Sequence, residues 1–310
     1  ENNINDSFEF LDKIPDHYDS LKQIQNAFLH CHFDTSKTEV AFEKLIDNPK
    51  TRFSRYNFFL ANYFISKNQN IAGKILISKS RDAYNSNLLI KQAENFILNG
   101  KNNNITNFFD CKNPSDVIAE IFYVIANLYS TQEDYQLSNF YLKISLFLNN
   151  KFTPNKTLLA ENFYNQKKYE LSKRIYNLLE SIGPVYGWYG VINRAIILSE
   201  TESKEQAALS LEKEFNLLSN PNFEHYYELA NFYKDNEYYK KSIKYYSLAL
   251  ESINQDHPLL PKILDRRGTS YERLGEWDKA EKDLLKSLEI LPDQPHVLNY
   301  LAYSWVEKGN

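Results

Sequence analysis

The chain has 310 residues, 43% of them hydrophobic, and carries 36 basic and 40 acidic side chains for a formal net charge of −4. That length holds several domains or one long repeat array, and the charge balance excludes a broad basic field for nucleic acid. The apolar residues are unusual in kind, with 23 Tyr and 20 Phe against 8 Gly and no Met, a mixture that points to many aromatic-packed helices rather than a sheet.

No apolar run approaches the ~20 residues of a membrane span. Cys31 and Cys111 show neither metal nor redox spacing and leave the compartment open.

Residues 1–16 read as the tail of a helix carrying Phe8 and Leu11, ended by Pro15. Residues 17–50 give helices around Leu21–Phe28 and Val40–Ile46, closed by Asn48-Pro49. Residues 51–85 place Ala61-Asn62-Tyr63-Phe64 on a first helix and Ile71 to Ile77 on a second, with Gly73 at a small position. In 86–118, Ala93 and Phe96 precede a short helix around Ile105–Phe109, flanked by Asn102-Asn103-Asn104; this is the weakest segment and a place for a bend. Pro114-Ser115-Asp116 starts a long helix bearing Ala126-Asn127-Leu128-Tyr129, whose partner runs from Tyr135 to Leu148.

Residues 153–186 hold Ala160 and Phe163, then Tyr169, Ser172 and Tyr176, and close at Gly183-Pro184. Residues 187–221 hold Ala195 and Leu198, then Ala207 and Leu211. Residues 223–256 hold Ala230-Asn231-Phe232-Tyr233, then Tyr239, Ser242, Tyr246 and Ala249. A unit spans 261–294, and residues 295–310 begin one more helix with Leu298, Leu301, Ala302 and Trp305.

The 261–294 unit sets the period. Gly268, Tyr271, Gly275, Trp277, Ala280 and Pro292 stand where a 34-residue helix hairpin needs small, large and breaking residues. Gly268 and Ala280 let two antiparallel helices approach. Gly275 suits the left-handed conformation that closes a helix, and Pro292 lies just beyond the second helix. Ala-Asn-x-aromatic recurs at Ala61, Ala126 and Ala230, close to two and three periods apart.

On these residues the chain resembles the tetratricopeptide repeat family. The resemblance implies an all-α fold, an α-solenoid in which helix-turn-helix hairpins stack into a right-handed superhelix. Residues 1–118 read as degenerate repeats and 119–310 as a clearer array ending in a partial repeat. A hairpin cannot bury its apolar surface alone and needs neighbours. Both ends fall inside repeats, so Leu301 and Trp305 are expected to face solvent unless a partner or second copy covers them.

In this family, set places on each first helix line a concave groove. Mapped here they are Arg55, Phe58 and Asn62; Tyr123 and Asn127; Thr157, Glu161 and Tyr164; Glu224, Tyr227, Asn231 and Lys234; Lys262, Asp265, Thr269 and Glu272; and His296, Asn299 and Tyr303. Amides at Asn62, Asn127 and Asn231 can donate to and accept from a peptide backbone; equally, they can bond within the array. Lys262 and Arg266 resemble the last pair of the carboxylate clamp of heat-shock co-chaperones. Ile192, Ile196 and Glu228 replace its other members, so that clamp is rejected and the pair reads as a solvated basic face.

His30-Cys31-His32 does not assemble a metal site, because helical residues two apart point in different directions. Gly187-Trp188-Tyr189-Gly190 lacks the spacing of a phosphate loop, and no Ser, His and acid stand at a strand–turn–helix elbow. No cofactor and no catalysis are expected. The reading is a scaffold or adaptor that holds a protein or extended peptide and does not bind nucleic acid. A self-assembling module joined through its terminal helices, or the non-catalytic part of a larger enzyme such as a glycosyltransferase, is the alternative. Residues 297–309 resemble a segment of bacterial cell-envelope tetratricopeptide proteins, which implies a periplasmic or outer-membrane-associated place, with the cytoplasm as the alternative.

Overall fold

The computed structural model describes residues 3–47, 55–80 and 87–307. The Asn48-Pro49 turn and the final Lys308-Gly309 lie outside the described residues. Eighteen α-helices and no strand are found among the described residues, so the all-α repeat architecture holds. By internal contacts the chain divides into two units, 1–187 and 188–310.

Unit 1 runs through α1 (Ile4–Asp12), α2 (Asp19–His32), α3 (Thr38–Ile46), α4 (Tyr56–Ser66), α5 (Asn70–Lys79), α6 (Leu88–Leu98), α7 (Asn103–Thr106), α8 (Pro114–Thr131), α9 (Tyr135–Leu148), α10 (Pro154–Asn165) and α11 (Tyr169–Leu178). It ends within the first turn of α12 (Pro184–Thr201). Unit 2 continues with α13 (Lys204–Asn216), α14 (Phe223–Asp235), α15 (Tyr239–Glu251), α16 (Leu260–Arg273), α17 (Trp277–Ile290) and α18 (Pro295–Glu307).

Among the described residues, seven hairpin turns are made the same way. One residue adopts a left-handed conformation: Asp34, Asn68, Gly100, Glu133 and Lys167 in unit 1, Glu237 and Gly275 in unit 2, with φ between 54° and 74°. These positions recur at about the 34-residue period. At Lys167 the amide donates to Tyr164 O and the next amide, of Lys168, to Phe163 O, both at 2.8 Å. Gly275 and Glu276 repeat the pattern onto Glu272 O and Tyr271 O. Such paired bonds satisfy carbonyls that a helix end leaves open. The Asn-rich composition serves the opposite ends, where Asn87, Asn113 and Asn222 cap α6, α8 and α14.

Close approach at small residues is as expected. A Cβ on Gly73 would meet Ile65 Cγ1 at 2.7 Å, and one on Gly268 would meet Leu284 Cγ at 2.9 Å.

In unit 1 an aromatic cluster forms part of the core. Phe28, Phe59, Phe109 and Phe152 are buried and interlock, with Phe28–Phe59 centroids 5.1 Å apart and Phe59–Phe109 at 4.7 Å. Cys31 at the end of α2 and Cys111 before α8 form a disulfide across a sequence separation of 80. His32 Nδ1 lies 3.1 Å from Cys111 O beside it.

Glu120 on α8 bonds Arg55 and Tyr56 at the start of α4. Three expectations need correction. The second helix of 86–118 is the four-residue α7, and Phe109 leaves it to enter the core. Leu301 is 2% exposed, packed with Leu284 and Val297. Arg266 is half-buried and hydrogen-bonded rather than a solvated partner of Lys262.

Candidate functional site

Three first helices of unit 2 carry the largest group of expected site residues. Asn222 starts α14 by accepting from the amides of Glu224 and His225, while its own amide donates to His225 Nδ1. This reciprocal cap fixes the helix start. Tyr227, Asn231 and Lys234 then follow at helical spacing along one face. Tyr227 stacks on Phe223, centroids 5.9 Å apart and 13° from parallel. Asn231 Oδ1 accepts from Tyr246 Oη at 2.7 Å and from Arg266 Nη1 at 2.8 Å, tying α14 to α15 and α16.

On α16, Lys262 is exposed and Asp265 half-buried. The Thr269 hydroxyl donates to Asp265 O at 2.9 Å. Asp265 Oδ1 is shut off from water, has no hydrogen-bond partner, and faces His296 Nε2 of α18 at 3.5 Å. Burial pushes the Asp265 carboxyl up, against the pull of His296, Arg266 and Lys234. Asn299 and Tyr303 stand exposed farther along α18, Tyr303 at 69%.

The unit 1 candidates are more divided. Tyr123 lies 5.9 Å edge-on to Phe152, with the Arg55 guanidinium over its ring at 4.3 Å, so it packs inward. Asn127, one turn on, is exposed. Glu161 and Tyr164 are half-buried, and Tyr164 sits 5.9 Å from Tyr169.

Four expected contact residues are interior, Thr157 among them at 7% exposed. Phe58 is fully buried. Asn62 is 4% exposed and donates its amide to Ile105 O at 3.0 Å and Phe109 O at 2.9 Å, tying α4 to α7 and the segment after it. Thr269 is also 4% exposed, its hydroxyl spent on its own helix. All four side chains are buried in this arrangement.

Sequence reasoning missed the Arg55–Glu120 ion pair and the buried Asn162. Asn162 Nδ2 donates to Ser138 Oγ at 2.7 Å and Asn139 Oδ1 at 2.9 Å, and its Oδ1 accepts from Ser130 Oγ. A signal for Glu120 exists: it is the one charged residue in the apolar run from Val117 to Leu128. Among the described residues no group of three or more metal-ligating side chains converges, and no helix is long and apolar enough to cross a membrane.

Residues 224–256 match the tetratricopeptide repeat family. A stretch of 83 residues, 26% of this chain, is 36% identical to a UDP-N-acetylglucosamine–peptide N-acetylglucosaminyltransferase of Giardia intestinalis. The chain spans 5% of that protein's length. Among solved structures, it is similar to YrrB, described as a TPR protein with an unusual peptide-binding site, at 17% identity over 62% of this chain and 94% of that one, with a TM-score of 0.38. It is also similar to the APC/C hetero-tetramer Cut9-Hcn1, at 12% identity over 98% of this chain and 61% of that one, with a TM-score of 0.48. A tetratricopeptide repeat protein from Parabacteroides merdae aligns at 14% identity over 81% of this chain and 99% of that one, with a TM-score of 0.38.

Proposed function

We propose that this chain, whose residues 224–256 match the tetratricopeptide repeat family, works by binding rather than catalysis, holding an extended segment of a partner protein along α14, α16 and α18. The observation that carries this reading is the row formed by Tyr227, Lys234, Lys262, Asp265, His296 and Asn299 on three successive first helices, with His296 Nε2 facing Asp265 Oδ1 at 3.5 Å across two of them. A cationic side chain of the partner would be drawn to the half-buried Asp265 carboxylate. Tyr227 and Tyr303 would add apolar contact at low entropy cost, and Lys262 and Asn299 would fix register at the rim.

Asn127 belongs to this reading only as an exposed amide of unit 1. Asn231 holds the site in shape, since its oxygen is already committed to Tyr246 and Arg266. A direct test places a photo-crosslinking amino acid at Asn299 or at Leu209, which is 61% exposed on α13. Partner peptide captured at position 299 and not at 209 supports the reading; equal capture refutes it.

The identity with the glycosyltransferase stretch favours a second reading, in which this array is the non-catalytic part of a larger enzyme. The full reading frame decides it: a contiguous transferase domain supports it, and a stop codon soon after residue 310 removes it.

A further inference from the structure

Lys156, on the first turn of α10, is half-buried and has no ion pair or hydrogen bond from its ammonium among the described residues. It lines an open pocket of about 570 Å³ in unit 1, built where α6, α7, the end of α9 and the start of α10 come together. That volume lies within the range of small-molecule sites. No carboxylate lines it. The floor is apolar: Phe96 is buried, and its ring lies 5.9 Å from that of Phe108. Lys151, exposed at the rim, is a second cation, and Asn104 and Asn150 supply amide donors.

Desolvating an ammonium without a counter-ion is costly. The effect is visible in Lys156 itself, whose burial, with no acid to offset it, lowers its pKa from the ordinary lysine value. Elsewhere in unit 1, Lys67 and Lys173 each have a carboxylate partner. A partnerless lysine above an aromatic floor is the complement of an anion joined to an apolar body.

We propose that this pocket binds a small organic anion, a carboxylate or phosphate carried on an aromatic or aliphatic group. The anionic oxygens would sit at Lys156 within reach of Lys151 and the amides, and the apolar body would lie on Phe96 and Phe108. The ammonium offers three donors to such oxygens, and charge-assisted bonds of this kind are the stronger class. The site is separate from the α14–α16–α18 row and stands or falls independently of it.

The test is reductive ¹³C-methylation of the lysines of the whole chain, followed by NMR titration, with the Lys156 signal assigned by its loss in Lys156→Arg. The probes are phenyl phosphate, N-acetylphenylalanine and inorganic phosphate. We expect saturable movement of the Lys156 signal with phenyl phosphate or N-acetylphenylalanine, and the responding probe distinguishes a phosphate ligand from a carboxylate one. Calorimetry with unmodified protein should show affinity falling about tenfold or more in Lys156→Gln and largely kept in Lys156→Arg, with both variants as helical as the parent. No saturable movement with either organic probe, or unchanged affinity in Lys156→Gln, overturns the proposal. Inorganic phosphate binding as tightly as phenyl phosphate overturns the role given to Phe96 and Phe108.

Discussion

Arg55 and Glu120 pair in the interior of unit 1, 65 residues apart in sequence, with Glu120 fully buried. Tyr56 Oη donates to Glu120 Oε1 at 3.0 Å. The guanidinium is ringed by Tyr56, Phe59, Tyr123 and Phe152, at 4.3 to 5.9 Å from their centroids. This is a charge pair in an aromatic box, and desolvating it is costly.

Burial outweighs the attraction of Arg55 and pushes the Glu120 carboxyl from its ordinary 4.5 up to about 7. A carboxyl that holds its proton more tightly when folded stabilises the fold at low pH and gives that up as pH rises from about 4.5 to about 7. Urea midpoints of the parent and of Glu120→Gln should therefore coincide near pH 4.5, and the variant should gain on the parent by pH 7.5. A parent that gains on the variant across this window would show that Arg55 wins instead.

The Cys31–Cys111 bond closes a loop with a sequence separation of 80. Cross-linking a loop of that length removes unfolded-state freedom worth about 2–4 kcal/mol. Thermal unfolding of the oxidised chain should occur several degrees above that of the reduced chain, and thiol titration of unreduced protein should find no free thiol. Persistence of such a bond fits an oxidising environment. Identical melting with and without reductant would remove this stabilising role.

Lys167 and Gly275 occupy the same place in their turns, but one is a lysine at φ 58° and the other a glycine at φ 74°. The left-handed region costs a residue with a Cβ about 1–2 kcal/mol. Lys167→Gly should raise the melting temperature slightly, after the entropy that glycine loses is subtracted. Gly275→Ala should cost about 1 kcal/mol of stability through backbone strain alone, since a Cβ there meets nothing within 4 Å.

Gly268 is held by contact rather than by backbone conformation. Its added Cβ would press on Leu284 Cγ at 2.9 Å and Ala280 O at 3.2 Å. Gly268→Ala should cost about 1–3 kcal/mol by overpacking. Gly268→Ala with Leu284→Ala should recover part of the clash term but not the buried Leu284 area, which a double-mutant cycle would separate.

Helix positions and the period were legible because they rest on local rules: spacing of apolar residues, breakers and caps. The turns were only half legible, since Asp34, Asn68, Glu133, Lys167 and Glu237 do the work of a glycine without announcing it. The site was less legible still. Asn62, Asn127 and Asn231 share one motif and have three different surroundings: buried against α7, exposed, and bonded to Tyr246 and Arg266. What faces a first-helix residue is decided by a neighbour dozens of residues away, as with Glu120 and Cys111, and no local pattern encodes that neighbour.

The central claim is that α14, α16 and α18 present a peptide-binding row. Extended peptides selected from a displayed library against the whole chain, then mapped by amide hydrogen exchange, test it most directly. The account predicts protection concentrated on 223–235, 260–273 and 295–303, with binding lost in Lys262→Glu combined with Asn299→Ala while helicity is kept. Selected peptides that protect only the second helices, α13, α15 and α17, or that bind the double variant as well as the parent, would contradict it.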